Sequence, residues 1–177
     1  MEGPESGLAG DRGAMQFALP MPAKVTSLVP RPQFAALPWR LVDGQLEVLM
    51  ITSRLSRHWL IPKGWPMRGK SNAQAAAREA FEEAGIKGVI SPKPIGQYEY
   101  QKLVPEQAPI LCRVDVFALM VEKELAKWPE AANRDRQWMP IAAAATVAFE
   151  SGLAALLATI DSVTLIGAST ATGRRHR

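Results

Sequence analysis

Apolar and polar positions change period several times along the chain, and each change marks an element. "FAALPWRLV" (34–42) and "QLEVLMITS" (45–53) are apolar-rich runs of strand length separated only by Asp43-Gly44. A two-residue Asp-Gly connection between such runs is a strong hairpin signal, because both turn positions need φ > 0. "HWLIPKGW" (58–65) predicts a third short strand, which Pro62 and Gly64 end. From Ser71 the pattern becomes helical and predicts a helix over 72–84. Ser71-x-x-Gln74 forms a capping box, the alanine-rich run propagates well, and Gly85 suits the left-handed position that stops a helix. Strands are predicted over 93–101 and 109–121, the second apolar enough to be buried on both faces. "NRDRQWMPI" (133–141) reads as a short strand or turn. "AAAATVAFESGLAALLATI" (142–160) reads as helical, with a break or new cap at Ser151-Gly152. Residues 1–33 are rich in Gly, Pro and Ala with no period, predicting a flexible N-terminal segment, and residues 163–177 predict a polar C-terminal tail. One folded domain, 34–162, lies between them, with no internal repeat.

Composition narrows the class. The 177 residues are 47% apolar, enough for a single domain with a real core. The formal charge of +4 suits an anionic ligand but is too small to argue for nucleic acid. The single cysteine, Cys112, excludes a disulfide framework and a cysteine zinc site; it sits in the apolar run "APILCRVDVFALMV" and is expected in the core. No apolar run approaches the roughly 18–20 residues of a membrane span, and no charged segment followed by an apolar stretch marks a secretory signal. A reducing, cytoplasmic setting is expected. Neither membrane nor nucleic acid is expected as a partner, and nothing in the pattern specifies an oligomeric state.

Candidate chemistry concentrates in "REAFEEAG" (78–85). At 100° per residue Ala73, Ala77, Ala80, Phe81 and Ala84 share one face, and Glu79, Glu82 and Glu83 share the opposite one. Like charges at i, i+3 and i+4 repel, and no lysine relieves the Glu79–Glu83 pair. A hard divalent cation would, since it takes one or two carboxylates plus waters and substrate phosphates. A solvated helix face is the alternative reading of the same residues. The longer stretch "GWPMRGKSNAQAAAREAFEEAGI" (64–86) resembles the Nudix box, G-x5-E-x7-R-E-U-x-E-E-x-G-U, where U is a bulky aliphatic. Gly64, Arg78, Glu79, Glu82, Glu83, Gly85 and Ile86 stand at matching spacings. Lys70 replaces the first glutamate of the box, and Ala80 replaces an aliphatic residue.

The resemblance implies an α/β fold, the Nudix-type α/β/α sandwich with a mixed β-sheet, and hydrolysis of a diphosphate linkage with Mg2+, or Mn2+ in its place. It implies Glu79 and Glu83 as metal ligands, Glu82 as ligand or general base, a backbone carbonyl of Lys63 or Gly64 completing the metal shell, and Arg78 orienting a glutamate. Residues 34–160 are most similar to the diphosphoinositol polyphosphate phosphohydrolase branch, through "WRLVDGQLEVLMITSRLSRHWLIPKGW" and "KWPEAANRDRQWMPIAAA". This points to a small, phosphate-rich substrate, a diphosphoinositol polyphosphate or a dinucleoside polyphosphate. Arg40, Arg54 and Arg136 are the best-placed cations for it, with Arg57, Lys63 and Lys70 beside them and Arg68, Arg113 and Arg134 as further candidates. His58 is expected to be an ordinary loop residue, and Trp59 and Trp65 to pack rather than stack on a base. Glu99, Glu106 and Asp115 are candidates for a carboxylate outside the box. Two other readings stand: a nucleotide-sugar or ADP-ribose-type pyrophosphatase, and a catalytically silent Nudix-like binding module in which Lys70 marks lost chemistry.

Overall fold

The computed structural model describes residues 29–170. Strands β1 (Arg31–Val42) and β2 (Gln45–Thr52) form the predicted hairpin, with Asp43 at φ 51° and Gly44 at φ 78°. Two-residue strands β3 (Trp59–Leu60) and β4 (Lys63–Gly64) follow, separated by Ile61-Pro62, so the single third strand expected from the pattern is divided. β3 pairs with β2, whereas β4 crosses to β1, with Phe34 opposite Gly64. Then come α1 (Asn72–Ala84), β5 (Ile86–Ile90), β6 (Gly96–Lys102), β7 (Ile110–Glu124) and β8 (Arg136–Pro140). Three short helices close the described chain: α2 (Ile141–Val147), α3 (Ser151–Leu157) and α4 (Ser162–Thr170).

The sheet is mixed. β1 and β7 run parallel in register from Arg31↔Cys112 to Trp39↔Met120, and the other pairings are antiparallel. β1 and β7 are buried on both faces, which explains their nearly unbroken apolar runs. Phe34, Ala36, Leu49, Ile51, Phe117 and Leu119 meet the alanines of α1. Leu37, Trp39, Val48, Met50, Val114 and Val116 point to the opposite face, under Ala144, Leu153, Leu157 and Leu165 of the later helices. The result is a helix–sheet–helix sandwich, the expected architecture. Cys112 is buried, as expected.

Two boundaries differ from the sequence reading. β1 starts at Arg31 because its early residues pair with β7, and α4 takes in the first part of the segment read as a polar tail because Leu165 is buried in the core. The flexible character predicted for residues 1–28, and the tail beyond 170, lie outside the described residues. β5, absent from the predicted elements, is only five residues long and directly abuts Gly85.

Candidate active site

α1 carries the acidic cluster and is capped as its sequence demands. Gln74 N–H donates to Ser71 Oγ at 3.2 Å, Ser71 N–H donates to Gln74 Oε1 at 2.9 Å, and Gly85 stops the helix at φ 67°. Its buried face is turned from the predicted one. Ala75, Ala76, Ala80, Glu83 and Ala84 are buried, while Ala73, Ala77 and Phe81 are half-buried. Periodicity counts a glutamate as polar, but Glu83 has partners that let it go inside. Lys63 N–H donates to its Oε2 at 3.1 Å, and the Arg134 guanidinium donates to its Oε1.

Glu79 points at the β4 strand. A Cβ added to Gly64 would come 1.9 Å from Glu79 Oε1, so glycine is what allows the carboxylate to lie against this backbone. Burial pushes the Glu79 carboxyl up to about 7, with repulsion from Glu83, Glu82 and Glu130 adding to it. Glu83 is also raised, chiefly by burial, against the opposing pull of Arg134 and the Lys63 N–H. Glu82 is half-buried and accepts from Arg78 Nε at 2.5 Å, an i,i+4 pair on the partly exposed side of the helix.

The segment that leads from β7 into β8 holds "KWPEAANRDR". It proves to be the clamp on the C-terminus of α1. The last carbonyls of a helix lack intrahelical partners. Here Glu130 N–H donates to Glu82 O (3.1 Å), Trp128 Nε1–H to Glu83 O (3.2 Å), Arg136 Nη1 to Ala84 O (2.6 Å) and Leu125 N–H to Gly85 O (2.8 Å). The Arg136 guanidinium also donates to Leu125 O at 2.9 Å and lies 4.0 Å over the Trp128 ring. A Cβ at Gly85 would meet both side chains at 2.9 Å.

Most cations of the expected phosphate-binding set have partners within the chain. Arg136 is occupied by backbone carbonyls. Arg54 pairs with Glu130, and Arg57 with Asp135 and the Asn133 carbonyl. Arg40 pairs with Glu47 at 2.8 Å and lies over Trp138. The Lys63 ammonium is buried against Glu150 at 2.9 Å, with Tyr98 Oη donating to the same carboxylate. Arg113 pairs with Glu99. Lys70 is exposed on the outer flank of α1 beside Arg78, Phe81 and Lys87, whereas Glu79 faces Gly64. Arg54 and Arg57 pair with carboxylates 76 and 78 positions away, which a linear pattern cannot display.

The carboxylate outside the box that reaches this cluster is Glu130, which sequence reasoning missed. Glu99 and Asp115 are engaged with Arg113 and Gln97, and Glu106 sits at φ 58° in an exposed turn. The signal that could have pointed to Glu130 was its place in the "KWPEAANRDR" loop, where an acid lies four residues before Arg134. Burial raises the Glu130 carboxyl, but hydrogen bonds from Arg54 and Arg134 outweigh that, and the net shift is downward.

Among the described residues no three carboxylate, imidazole or thiol groups form a closed metal cage. Mg2+ generally needs only one or two carboxylates, with waters and substrate phosphates completing its shell. Glu79 and Glu83, with the Gly64 cradle that a Cβ would fill, fit such an ion. A cavity of about 540 Å3 opens between His58, Leu60, Tyr100, Lys102 and Phe149 and includes Glu150, the partner of the Lys63 ammonium; His58 stacks on Phe149 with ring centroids 3.6 Å apart.

Comparison with known proteins gives the family and the fold. The NUDIX domain pattern matches residues 31–159, and the chain belongs to that family. It is similar to Nudix hydrolase 12, mitochondrial, of Arabidopsis thaliana, 38% identical over 101 residues that cover 55% of this chain and 50% of that protein. It is also similar, at lower identity, to diphosphoinositol polyphosphate phosphohydrolase 2 of Rattus norvegicus, 33% over 98 residues covering 54% and 50%. The chain spans about half the length of the curated relatives it matches. A crystal structure of a C. elegans Ap4A hydrolase binary complex shares the fold, with a TM-score of 0.58, 22% identity, and coverage of 77% of this chain and 98% of that one.

Proposed function

We propose that this chain is a Nudix hydrolase that cleaves a diphosphate linkage in a small phosphorylated substrate with the help of Mg2+ or Mn2+. The observation that carries the reading is the Glu79–Glu83 pair held against the Lys63–Gly64 strand. Glu79, Glu83 and a carbonyl of Lys63 or Gly64 would hold the ion. When bound, that ion would neutralise charge on the diphosphate oxygens. Glu82, ion-paired with Arg78, would be the general base or a further ligand. The helix clamp fixes all three glutamates relative to the sheet.

For the substrate, the family resemblance supports a diphosphoinositol polyphosphate or a dinucleoside polyphosphate. One observation favours the nucleotide side. Arg40, Arg54, Arg57, Arg136 and Lys63 are matched to acceptors within the protein, while the cavity described above is walled by His58, Leu60, Tyr100 and Phe149, with Lys102 on its rim. Such a cavity accepts a planar apolar group. A dinucleoside polyphosphate or an ADP-ribose-type substrate carries one.

The test is phosphate or nucleotide release from a panel comprising a diphosphoinositol polyphosphate, a diadenosine polyphosphate, ADP-ribose and a nucleoside triphosphate. We expect Mg2+-dependent turnover that falls at least about a hundredfold in Glu83→Gln. Absence of metal-dependent turnover across the panel would establish the silent-module reading instead. Among the described residues no single helix is long and apolar enough to cross a membrane. Cytoplasmic residence stays a proposal, to be checked by fractionation, because the Arabidopsis relative carries "mitochondrial" in its name.

A further inference from the structure

Arg134 takes no part in the function proposed above, yet it bridges Glu83 of the acidic cluster to Glu130. Its side chain is only 9% exposed. One guanidinium joins three elements: Nε donates to Glu130 Oε2 at 2.6 Å, Nη1 donates to Thr52 O at 2.9 Å, and Nη2 donates to Glu83 Oε1. Glu83 Oε2 already accepts the Lys63 N–H. Both oxygens of Glu83 therefore have donors before any ion arrives, and one of those donors carries a full positive charge. Glu130, the acceptor on the other side of Arg134, is held in turn by Arg54.

We infer that Arg134 is a fixed counter-ion that occupies the cation side of Glu83 and sets the affinity of the cluster for a divalent ion. The inference rests on the reading of Glu79 and Glu83 as the ion's ligands. An approaching Mg2+ or Mn2+ meets the field of a buried guanidinium already in contact with one ligand. That repulsion weakens binding, because at short range and low dielectric even one unit charge is worth more than a tenfold change in affinity. The same contact aims the Glu83 carboxylate and keeps it inside the protein without a metal. Glu130 tunes the arrangement in the opposite sense, since its charge partly cancels that of Arg134. Arg134 is thus a positioning residue: it acts through Glu83.

The experiment is Mn2+ binding to the full chain, measured by electron paramagnetic resonance of free Mn2+ and by calorimetry, with no substrate present. Arg134→Gln is expected to bind Mn2+ about tenfold more tightly than wild type. Arg134→Lys, which keeps the charge, is expected to stay near wild type. Glu130→Gln leaves Arg134 less compensated and is expected to weaken binding several-fold. It serves as the second arm should Arg134→Gln fail to fold. Unchanged or weaker affinity in Arg134→Gln, or tighter binding in Glu130→Gln, overturns the inference. A raised KM in Arg134→Gln with unaltered Mn2+ affinity also overturns it and makes Arg134 a substrate contact. If wild type binds Mn2+ and turns over substrate while these variants do not shift as stated, this inference alone fails. If wild type and both Arg134 variants neither bind nor turn over, the hydrolase reading fails and takes this one with it.

Discussion

Replacing Arg136 with methionine separates two roles for the same residue. Sequence placed it among the substrate cations, whereas the structure uses it to cap the helix that carries the glutamates. Arg136→Met keeps an apolar stem near Trp128 but removes the donors to Ala84 O at 2.6 Å and Leu125 O at 2.9 Å, and the cation 4.0 Å above the indole. A hydrogen bond from a charged donor contributes about 1.5–3 kcal/mol and a cation–π contact about 0.5–2 kcal/mol. The side chain is 18% exposed, so water partly restores the carbonyls, which places the net loss at about 3–4 kcal/mol. At about 2–4 °C per kcal/mol for a chain of this length, Tm should fall by roughly 6–16 °C. Thermal unfolding followed by circular dichroism, at fixed pH and without divalent ions, gives the number. Arg136→Lys, which supplies one point donor instead of a fork, should lie between the two. A drop below about 3 °C combined with a large rise in KM would refute the capping role and return Arg136 to the substrate.

Two further outcomes follow from the geometry. Glu79 has a folded-state carboxyl near 7, above its ordinary value, so the folded protein holds this proton where the unfolded chain has released it. Its contribution to stability is therefore favourable below about pH 4.5, declines as pH rises towards 7, and is flat above. Because Glu79 is only half-buried, solvent screening reduces the effect to about 1 kcal/mol. Urea unfolding without divalent ions at pH 5 and 7.5 should show wild type losing that much more than Glu79→Gln, and parallel behaviour of the two would be the wrong result for this account. Gly64→Ala places a methyl 1.9 Å from Glu79 Oε1 and forces the flexible carboxylate aside while leaving the strand intact. Metal-dependent turnover should fall about a hundredfold with Tm within about 3 °C of wild type; retained turnover would mean that Glu79 does not act from this position.

The sequence by itself determined whatever depends on neighbours along the chain. The Asp43-Gly44 turn needs two positive φ values, and these residues supply them. Helix α1 has its start in Ser71 and Gln74 and its stop in Gly85, all within one turn of its ends. The spacing from Gly64 to Glu83 brought the family into view before any contact was known, because it is a local frame. Tertiary structure decided which charges are free. Arg54, Arg57, Arg134 and Arg136 are paired or capped by groups between 4 and 82 positions away, through the antiparallel pairing of β8 with β2 and the loop before it. Burial of Glu83 depended on those partners, so the helix face was misread where a glutamate turned inward. Hydrophobic period reports what water would prefer for each residue alone. A carboxylate with a guanidinium and a backbone N–H waiting for it obeys a different balance, and that balance exists only once the chain has folded.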